Sequence, residues 1–300
     1  MIDQTYRSST LNQVKGIILA GGTGSRLWPL TKTTSKQLLP VYDKPLIYYP
    51  LSTLMLAGIQ DVLIITTPQD SEDFKNLLGD GTLLGISITY AVQPKPEGLA
   101  QAFLIGENFI SDESVALILG DNIFYGTGLG RSLSEITILE GATIFGVKVQ
   151  DPSRYGVLEV SKTGKVISIE EKPTKPKSDI AVPGLYFFDN TVIERSKDVT
   201  KSSRGELEIT SVIDSYLKEK KIKFRQLQEN TKWMDCGTVD SLNEAANYVK
   251  TIEQEIGFKI GCIEEVAFRQ GWIKSEDLAQ ISKDLGNNEY AKYLQNVLNV

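Results

Sequence analysis

From Val14 to Asp121 the chain alternates short β-branched runs with helical patterns, and that alternation limits the fold more than any other feature. "VKGIILA", "DVLIITT", "ISITYAV" and "SVALILGD" read as buried strands, whereas "PLSTLMLAG", "SEDFKNLLGD" and "GLAQAFLIGENFI" carry helical spacing. Strand and helix in alternation predict a Rossmann-like α/β fold, a mostly parallel central sheet with helices on both faces. Such sheets present ligand-binding groups at the carboxyl ends of their strands. Two loops fall there: the glycine-rich Gly21–Arg26 stretch after the Val14–Ala20 run, and the "GDN" of Gly120–Asn122.

Past about residue 141 the pattern changes. "YGVLEVSKTGKVISIEEKP" reads as two strands joined by a tight Lys162-Thr163-Gly164 turn, so a β-rich half is expected to extend the sheet into a second pocket wall. From Val239 onward "DSLNEAANYVKTIEQEIG" is helical, and the rest reads as short amphipathic helices. No Pro-, Gly- or Ser-rich linker divides the chain, and no hexapeptide repeat suggests an appended left-handed β-helix.

The glycine-rich loop can be tested by spacing. Gly22-Thr23-Gly24-Ser25-Arg26-Leu27 opens like the dinucleotide-binding G-x-G-x-x-G, but Leu27 stands where the third glycine lets helix and strand pack closely. A P-loop fails too, because its lysine directly follows the last glycine, whereas Ser25 follows Gly24 and the nearest lysine is Lys32. What survives is a strand ending in glycines whose N–H groups can approach an anion, with Arg26 adding a planar bidentate donor. An ordinary Gly-rich turn is the competing reading.

An absence narrows the chemistry: the 300 residues contain no histidine. That removes Ser-His-Asp and Cys-His nucleophilic sites, the HExxH zinc motif, and imidazole as base or ligand. A metal must then sit mainly on oxygen, which points to Mg2+ or Mn2+ on carboxylates and to a reaction needing charge neutralisation more than proton shuttling. The net charge of −6 supplies no basic field for nucleic acid. No apolar run approaches a membrane span, and "MIDQTYRSSTLNQ" lacks a signal-peptide layout, so a cytoplasmic location is expected. Two cysteines, Cys236 and Cys262, are too few for a disulfide framework or a four-thiolate zinc site.

Several side chains are candidates for that chemistry. Asp121 follows "VALIL" through a glycine, at the carboxyl end of a buried strand; alone it reads as well as an Asx-turn or cap. Asp235 in "KWMDCGT" is open to the same plain reading, but the two together around one Mg2+ would leave positions for phosphate oxygens and water. Lys172 in "EEKP" precedes a proline, which predicts an extended backbone that aims its side chain. Glu171 beside it offers an acceptor for sugar hydroxyls, and Tyr155 with Gly156 in "SRYGVL" an aromatic wall beside bare backbone. Arg204 opens "RGELEIT", otherwise a helix N-terminus. In "VQPKPEGLAQA" the amide of Gln93 suits a pyrimidine edge and Gly98 would let a base lie on the backbone, unless the stretch is a plain turn.

In order along the chain, "GIILAGGTGSRLWPLT", "SKQLLPVYDKPLIYYPLSTLMLAGI", "VQPKPEGLAQAF", "LGDNIFYG", "DPSRYGVLE", "EEKPTKPKS", "GLYFFDN", "RGELEIT" and "WMDCGT" closely resemble the glucose-1-phosphate thymidylyltransferases. The resemblance runs from about Lys15 to the C-terminus. It implies a nucleotidyltransferase fold with a β-rich sugar-binding half and a helical C-terminal tail. The implied division is an extension over residues 1–14, a nucleotidyltransferase domain over 15–256 (nucleotide part about 15–140, sugar part about 141–238) and a tail over 257–300. By resemblance, Leu19 would bind the nucleotide dTTP, Gly21, Gly22, Thr23, Gly24, Ser25, Arg26, Lys36 and Gln37 would hold its triphosphate, and Gln93 and Gly98 its thymine. Tyr155, Gly156, Glu171 and Val182 would face the sugar, Lys172 and Arg204 its phosphate, and Asp121 and Asp235 a magnesium ion. Arg26, Lys36 and Lys172 would serve catalysis.

The implied reaction is attack of glucose 1-phosphate on the α-phosphorus of dTTP, in a homotetramer without nucleic-acid or membrane partners. UTP as the nucleotide, or a catalytically silent nucleotide-sugar sensor, are the alternatives. Ser25 stands where the family usually has Thr, and Cys236 replaces the Thr of "DTGT". That thiol is either a buried filler or, at a pocket mouth, a reactive group whose pKa nearby cations lower.

Overall fold

The computed structural model describes residues 14–136 and 140–299, so the N-terminal extension, Val14 apart, lies outside the described residues. Strand β1 (Val14–Ala20) is followed by a short hairpin, β2 (Pro40–Val41) and β3 (Lys44–Pro45), and then by helix α1 (Tyr48–Leu56). Alternation continues through β4 (Asp61–Thr66), α2 (Ser71–Leu78), β5 (Ser87–Val92), the short helices α3 (Gln101–Ile105) and α4 (Glu107–Ile110), and β6 (Ser114–Leu119). β1 pairs in parallel with β4 on one edge and β6 on the other, and β4 pairs with β5. The chain thus runs outward from β1 to β5 and returns to β1's other side. That reversal opens a crevice beyond the carboxyl ends of β1 and β6.

The second half extends the same sheet through antiparallel pairings, except for the sheet's last strand, which pairs in parallel. Its elements are β7 (Asn122–Tyr125), α5 (Leu129–Ser134), β8 (Ala142–Lys148), β9 (Gly156–Val160), β10 (Val166–Glu171), β11 (Ile180–Ala181), β12 (Leu185–Phe188), α6 (Val192–Lys197), α7 (Ile209–Lys218), β13 (Ile222–Gln226) and β14 (Lys232–Asp235). Among the described residues they complete a ten-stranded sheet of order β10-β9-β11-β8-β12-β6-β1-β4-β5, with β13 beside β8. The predicted turn joins β9 to β10, closed by Gly164 N–H donating to the Ser161 carbonyl at 2.9 Å. β7 and β14 leave the sheet and pair with each other as an antiparallel ribbon.

Alternating side chains bury both faces of the sheet. Ile18, Ala116, Leu185 and Phe187 join one core with Leu51, Leu54 and Met55 of α1. Ile17, Leu117, Tyr186 and Phe188 join the other with Phe103 of α3 and Val212, Ile213 and Tyr216 of α7. A third cluster gathers Leu27, Val41, Leu46, Tyr49, Ile123 and Cys236 against Leu242, Ala245 and Val249 of α8 (Val239–Ile256), which anchors the loop after β1 and the ribbon to one helix. The remaining helices, α9 (Ile263–Arg269), α10 (Ser275–Asp284) and α11 (Glu289–Val297), dock back on the first core through Ile263, Ala267, Leu278, Leu294 and Val297. Among the described residues no helix is long and apolar enough to cross a membrane.

Candidate active site

A cleft of about 680 Å3 opens at the carboxyl ends of β1 and β6. Leu19 and the Gly22–Arg26 loop form one lip, Lys36 and Gln37 the floor beside it, and Gln93 and Gly98 the wall after β5. Asp121 enters from the end of β6 and Asp235 from the end of β14, while Tyr155, Gly156, Glu171, Lys172 and Val182 form the opposite wall. Of the substrate- and metal-binding residues that the resemblance implies, Gly21 and Arg204 are not on the cleft surface.

The ribbon explains how two distant aspartates meet. Asn122 of β7 pairs with Asp235 of β14, and Cys236 N–H donates to the Asp121 carbonyl at 2.9 Å, which brings the two carboxylates within reach of each other's charge. Lys36 Nζ pairs with Asp121 Oδ2, and Asn122 Nδ2 donates to Oδ1 at 2.9 Å. Arg154 Nη2 lies 3.8 Å from Asp235 Oδ2. Arg26 is close as well: a Cβ on Gly237 would sit 2.9 Å from Arg26 Nη2 and 3.2 Å from Asp235 Oδ1. Burial pushes the Asp121 carboxyl up, but the Lys36 ammonium and the hydrogen bonds from Lys36 and Asn122 prevail and hold it below the usual carboxylate range. Asp235 goes the other way, raised by burial and then by the Asp121 charge against the pull of Lys36, Arg26 and Arg154. Among the described residues no group of three or more His, Cys, Asp or Glu gathers as a metal cage. A bare carboxylate pair fits Mg2+, which binds through one or two carboxylates and completes its shell with water and phosphate oxygens.

On the wall after β5, Gln93 is buried and its Nε2 donates to Gln101 Oε1 at 2.6 Å. Gln101 Oε1 also accepts the Glu97 N–H at 3.1 Å, which fixes the orientation of the Gln93 amide. Its oxygen is aimed at Gly21, where a Cβ would lie 2.0 Å away. Gly21 therefore makes room for Gln93 rather than lining the cleft. Gly98 has φ +113° and passes so close to Leu207 that a Cβ would meet its backbone N and O at 2.4 Å. Its missing side chain is required by packing whatever lies on its cleft side.

Across the cleft, Glu171 stands near Glu208, and burial together with the Glu208 charge raises its carboxyl against the opposing pull of Lys172 and Arg204. Arg204 braces this group from outside the cleft, with Nη1 3.3 Å from Glu171 and 3.5 Å from Glu208, and Nη2 3.0 Å from Glu206. Lys172 corrects one expectation. Its backbone is not extended but takes φ +42°. The β9–β10 ladder ends at Gly156 and Glu171, and the Lys172 N–H adds one further bond to the Tyr155 carbonyl at 2.9 Å before the chain turns away at Pro173. That tether overrides the pre-proline preference for extended backbone.

The sequence pattern of the nucleotidyl transferase family matches residues 15–252. The chain belongs to the nucleotidyl transferase family. Among its curated relatives, glucose-1-phosphate thymidylyltransferase of Neisseria meningitidis is 51% identical over 95% of this chain and 99% of its own length. The Mycobacterium tuberculosis protein of the same name is 54% identical over 95% of this chain and 99% of its own. A solved Bacillus anthracis structure described as a glucose-1-phosphate thymidylyltransferase, in complex with sucrose, superposes with a TM-score of 0.74 at 41% identity, covering 83% of this chain and 98% of that one. UDP-glucose pyrophosphorylase complexed with UDP-glucose superposes with a TM-score of 0.71 at 27% identity, covering 80% and 99%.

This nucleotidyl transferase also has cleft residues that the sequence patterns did not single out. Arg154 lies over the Tyr155 ring at 5.4 Å, and Trp233 meets that ring edge-on at 5.0 Å. Trp233 had a signal, because strand alternation puts it on the same ribbon face as Asp235 two residues on. Asn122 is a hub whose Oδ1 accepts from Trp233 Nε1 at 2.6 Å and from Gly184 N–H at 3.1 Å. Arg154 and Glu208 had no such signal, since their importance comes from partners distant in sequence. Cys236 is buried beneath the aspartates, where burial and then the charges of Asp121 and Asp235 push its thiol far up. The structure thus selects the filler reading of Cys236 over the reactive one.

Proposed function

We propose that this chain is a glucose-1-phosphate thymidylyltransferase, joining dTTP to glucose 1-phosphate to form dTDP-glucose and pyrophosphate. The observation that carries the reading is the meeting of Arg26, Lys172 and the Asp121–Asp235 pair in one cleft of a nucleotidyl transferase. The names of relatives more than half identical over nearly the whole chain supply the substrate pair.

Each wall then has a task. The Gly22–Arg26 loop, Lys36 and Gln37 bind the triphosphate, with Leu19, Gln93 and Gly98 around the base. Glu171 accepts from sugar hydroxyls beside Tyr155, Gly156 and Val182. Lys172 holds the sugar phosphate while Arg204 braces Glu171. A phosphate oxygen of glucose 1-phosphate attacks the α-phosphorus in line, the bond from that phosphorus to the bridging oxygen breaks, and pyrophosphate leaves with the electron pair. The attacking phosphate is largely dianionic at pH 7, its second pKa being about 6, so no general base is needed and the lack of histidine is no obstacle. Positioning and charge neutralisation by Arg26, Lys36 and Lys172 supply the acceleration. Asp121 and Asp235 would hold a Mg2+ ion, which when bound screens the phosphates and stabilises charge developing on them.

Purified protein with glucose 1-phosphate, Mg2+ and each of dTTP, UTP, GTP, ATP and CTP, assayed for pyrophosphate, tests this. The highest kcat/KM is expected with dTTP. A UTP optimum would move the assignment to UDP-glucose synthesis, and no pyrophosphate with any nucleotide would leave a silent binding protein. The same reading carries a homotetramer, to be checked by light scattering.

A further inference from the structure

Each member of the aspartate pair faces a cation of the protein's own. Lys36 pairs with Asp121 from the segment following the β1 loop, and Arg154 approaches Asp235 at 3.8 Å from the opposite wall. Two side-chain cations on two carboxylates leave the pair electrically neutral. A divalent ion added to that arrangement would place two surplus positive charges at the pair, next to Arg26, because the cleft's other carboxylates, Glu171, Glu206 and Glu208, are engaged across the cleft by Lys172 and Arg204. Such a surplus is repulsive unless anions arrive with it or the resident cations leave the carboxylates.

We propose that Lys36 and Arg154 are resident counter-cations of Asp121 and Asp235, which a divalent ion displaces and incoming phosphates accept, so that ion and triphosphate bind cooperatively. The inference rests on the nucleotidyl-transfer reading and deepens it. Both side chains line the cleft with the Gly22–Arg26 loop, so exchanging a carboxylate for a phosphate requires them to swing within the cleft and not to cross the protein. In the absence of an ion they offset the repulsion between two adjacent carboxylates. With ion and nucleotide present the same two charges become phosphate ligands. Arg154 thereby has two successive partners, a carboxylate and then a phosphate, which accounts for an arginine placed next to a candidate metal ligand.

Mn2+ binding to the substrate-free protein, followed by the paramagnetic signal of unbound Mn2+, tests this without turnover. The parent should bind Mn2+ weakly alone and markedly more tightly with dTTP. Arg154→Met should bind bare Mn2+ about tenfold more tightly, the scale of one like charge removed from a partly screened site. Calorimetry should show the same variant binding Mn2+–dTTP more weakly, so that the coupling between ion and nucleotide shrinks, and Arg154→Lys should restore most of it. Lys36→Met should act in the same directions. If burial of an unpaired Asp121 prevents that variant from folding, Arg154→Met decides alone, its side chain being 44% exposed. Asp235→Asn in the Arg154→Met background should abolish the gain, which locates the ion at the pair. Unchanged or weaker binding of bare Mn2+ in Arg154→Met overturns the proposal, as does a gain that survives Asp235→Asn. Failure of the parent to release pyrophosphate from any nucleotide would instead sink the nucleotidyl-transfer reading, and the two failures are read from different measurements.

Discussion

Lys172 combines a left-handed backbone with a position directly before a proline, and both features cost stability. A non-glycine residue at φ +42° forgoes about 1–2 kcal/mol relative to a right-handed or extended one. Lys172→Gly should therefore raise stability toward chemical denaturation by roughly 0.5–1 kcal/mol, since glycine accepts this backbone but gains unfolded-state entropy. The same change should lower kcat/KM for glucose 1-phosphate by about 100-fold or more, with dTTP binding nearly unchanged, because a charge-assisted contact to one substrate is lost. Opposite signs in the two measurements are the expected signature; a variant with parent-like turnover would remove Lys172 from the site. Cys236 supports a second expectation at this scale. Its thiol and that of Cys262 are buried and raised, first by burial and then by neighbouring carboxylates, so neither forms the reactive thiolate near neutral pH. Iodoacetamide at pH 8 should leave the native protein unlabelled and fully active, while the denatured chain should take up label at both cysteines. Rapid labelling of Cys236, with protection by dTTP, would restore the reactive reading.

Helix α9 carries a buried acid that makes an element's stability depend on pH. Glu264 is buried in its first turn and accepts the Tyr290 O–H of α11 at 2.6 Å, yet burial prevails and raises its carboxyl above the ordinary value. A raised folded-state pKa means that folding favours the protonated form. The corresponding stability is fully present below the unfolded pKa of about 4.3 and is lost as pH rises through the folded value. Glu264→Gln keeps an acceptor for Tyr290 and never ionises, so it should melt higher than the parent at pH 7–8 and show no gain at pH 4. A gain independent of pH would trace the effect to packing instead. Elements were the most legible level of this molecule because periodicity is local: the run Val14–Ala20 is β1, and "SEDFKNLLGD" contains α2. "GLAQAFLIGENFI", read as one helix, is split into α3 and α4 at Gly106, where a Cβ would press on Ile17 Cδ1 at 2.9 Å. That contact comes from a neighbouring strand, and no window of sequence contains it. The Lys172 turn was hidden for the same reason, its cause being the Tyr155 carbonyl on another strand.

At the scale of the whole molecule, side chains with a recognisable neighbourhood were legible as candidates, and those defined by a distant partner were not. Asp121 follows an apolar run through Gly120 and Asp235 lies between an apolar pair and Gly237, whereas Arg154 matters only because the ribbon carries Asp235 to it. The tail shows the same limit. The family pattern stops at residue 252, yet the helices beyond it close the first core over α1. α9 packs on α1, Gln270 Nε2 donates to the Met55 carbonyl at 3.2 Å, and the Trp272 backbone passes so near Gly85 that a Cβ there would lie 2.6 Å from its carbonyl oxygen. The helices are also too short to hold their shape without such docking. A chain ending at Ile256 would remove Ile263, Ala267, Leu278, Leu294 and Val297 from the first core and open to water the apolar side chains they cover. Fully exposing even two or three such residues at about 1.5–3 kcal/mol each removes a large part of a net stability of about 5–15 kcal/mol. The truncated protein should lose roughly 5 kcal/mol, lowering its melting midpoint by about 10–20 °C, and should aggregate through the uncovered patch. Calorimetry and light scattering on the two chain lengths check this. A monodisperse truncated protein that melts within a few degrees of the parent would make the tail an independent attachment; a single transition shared by tail and body in the full chain is the outcome that its packing requires.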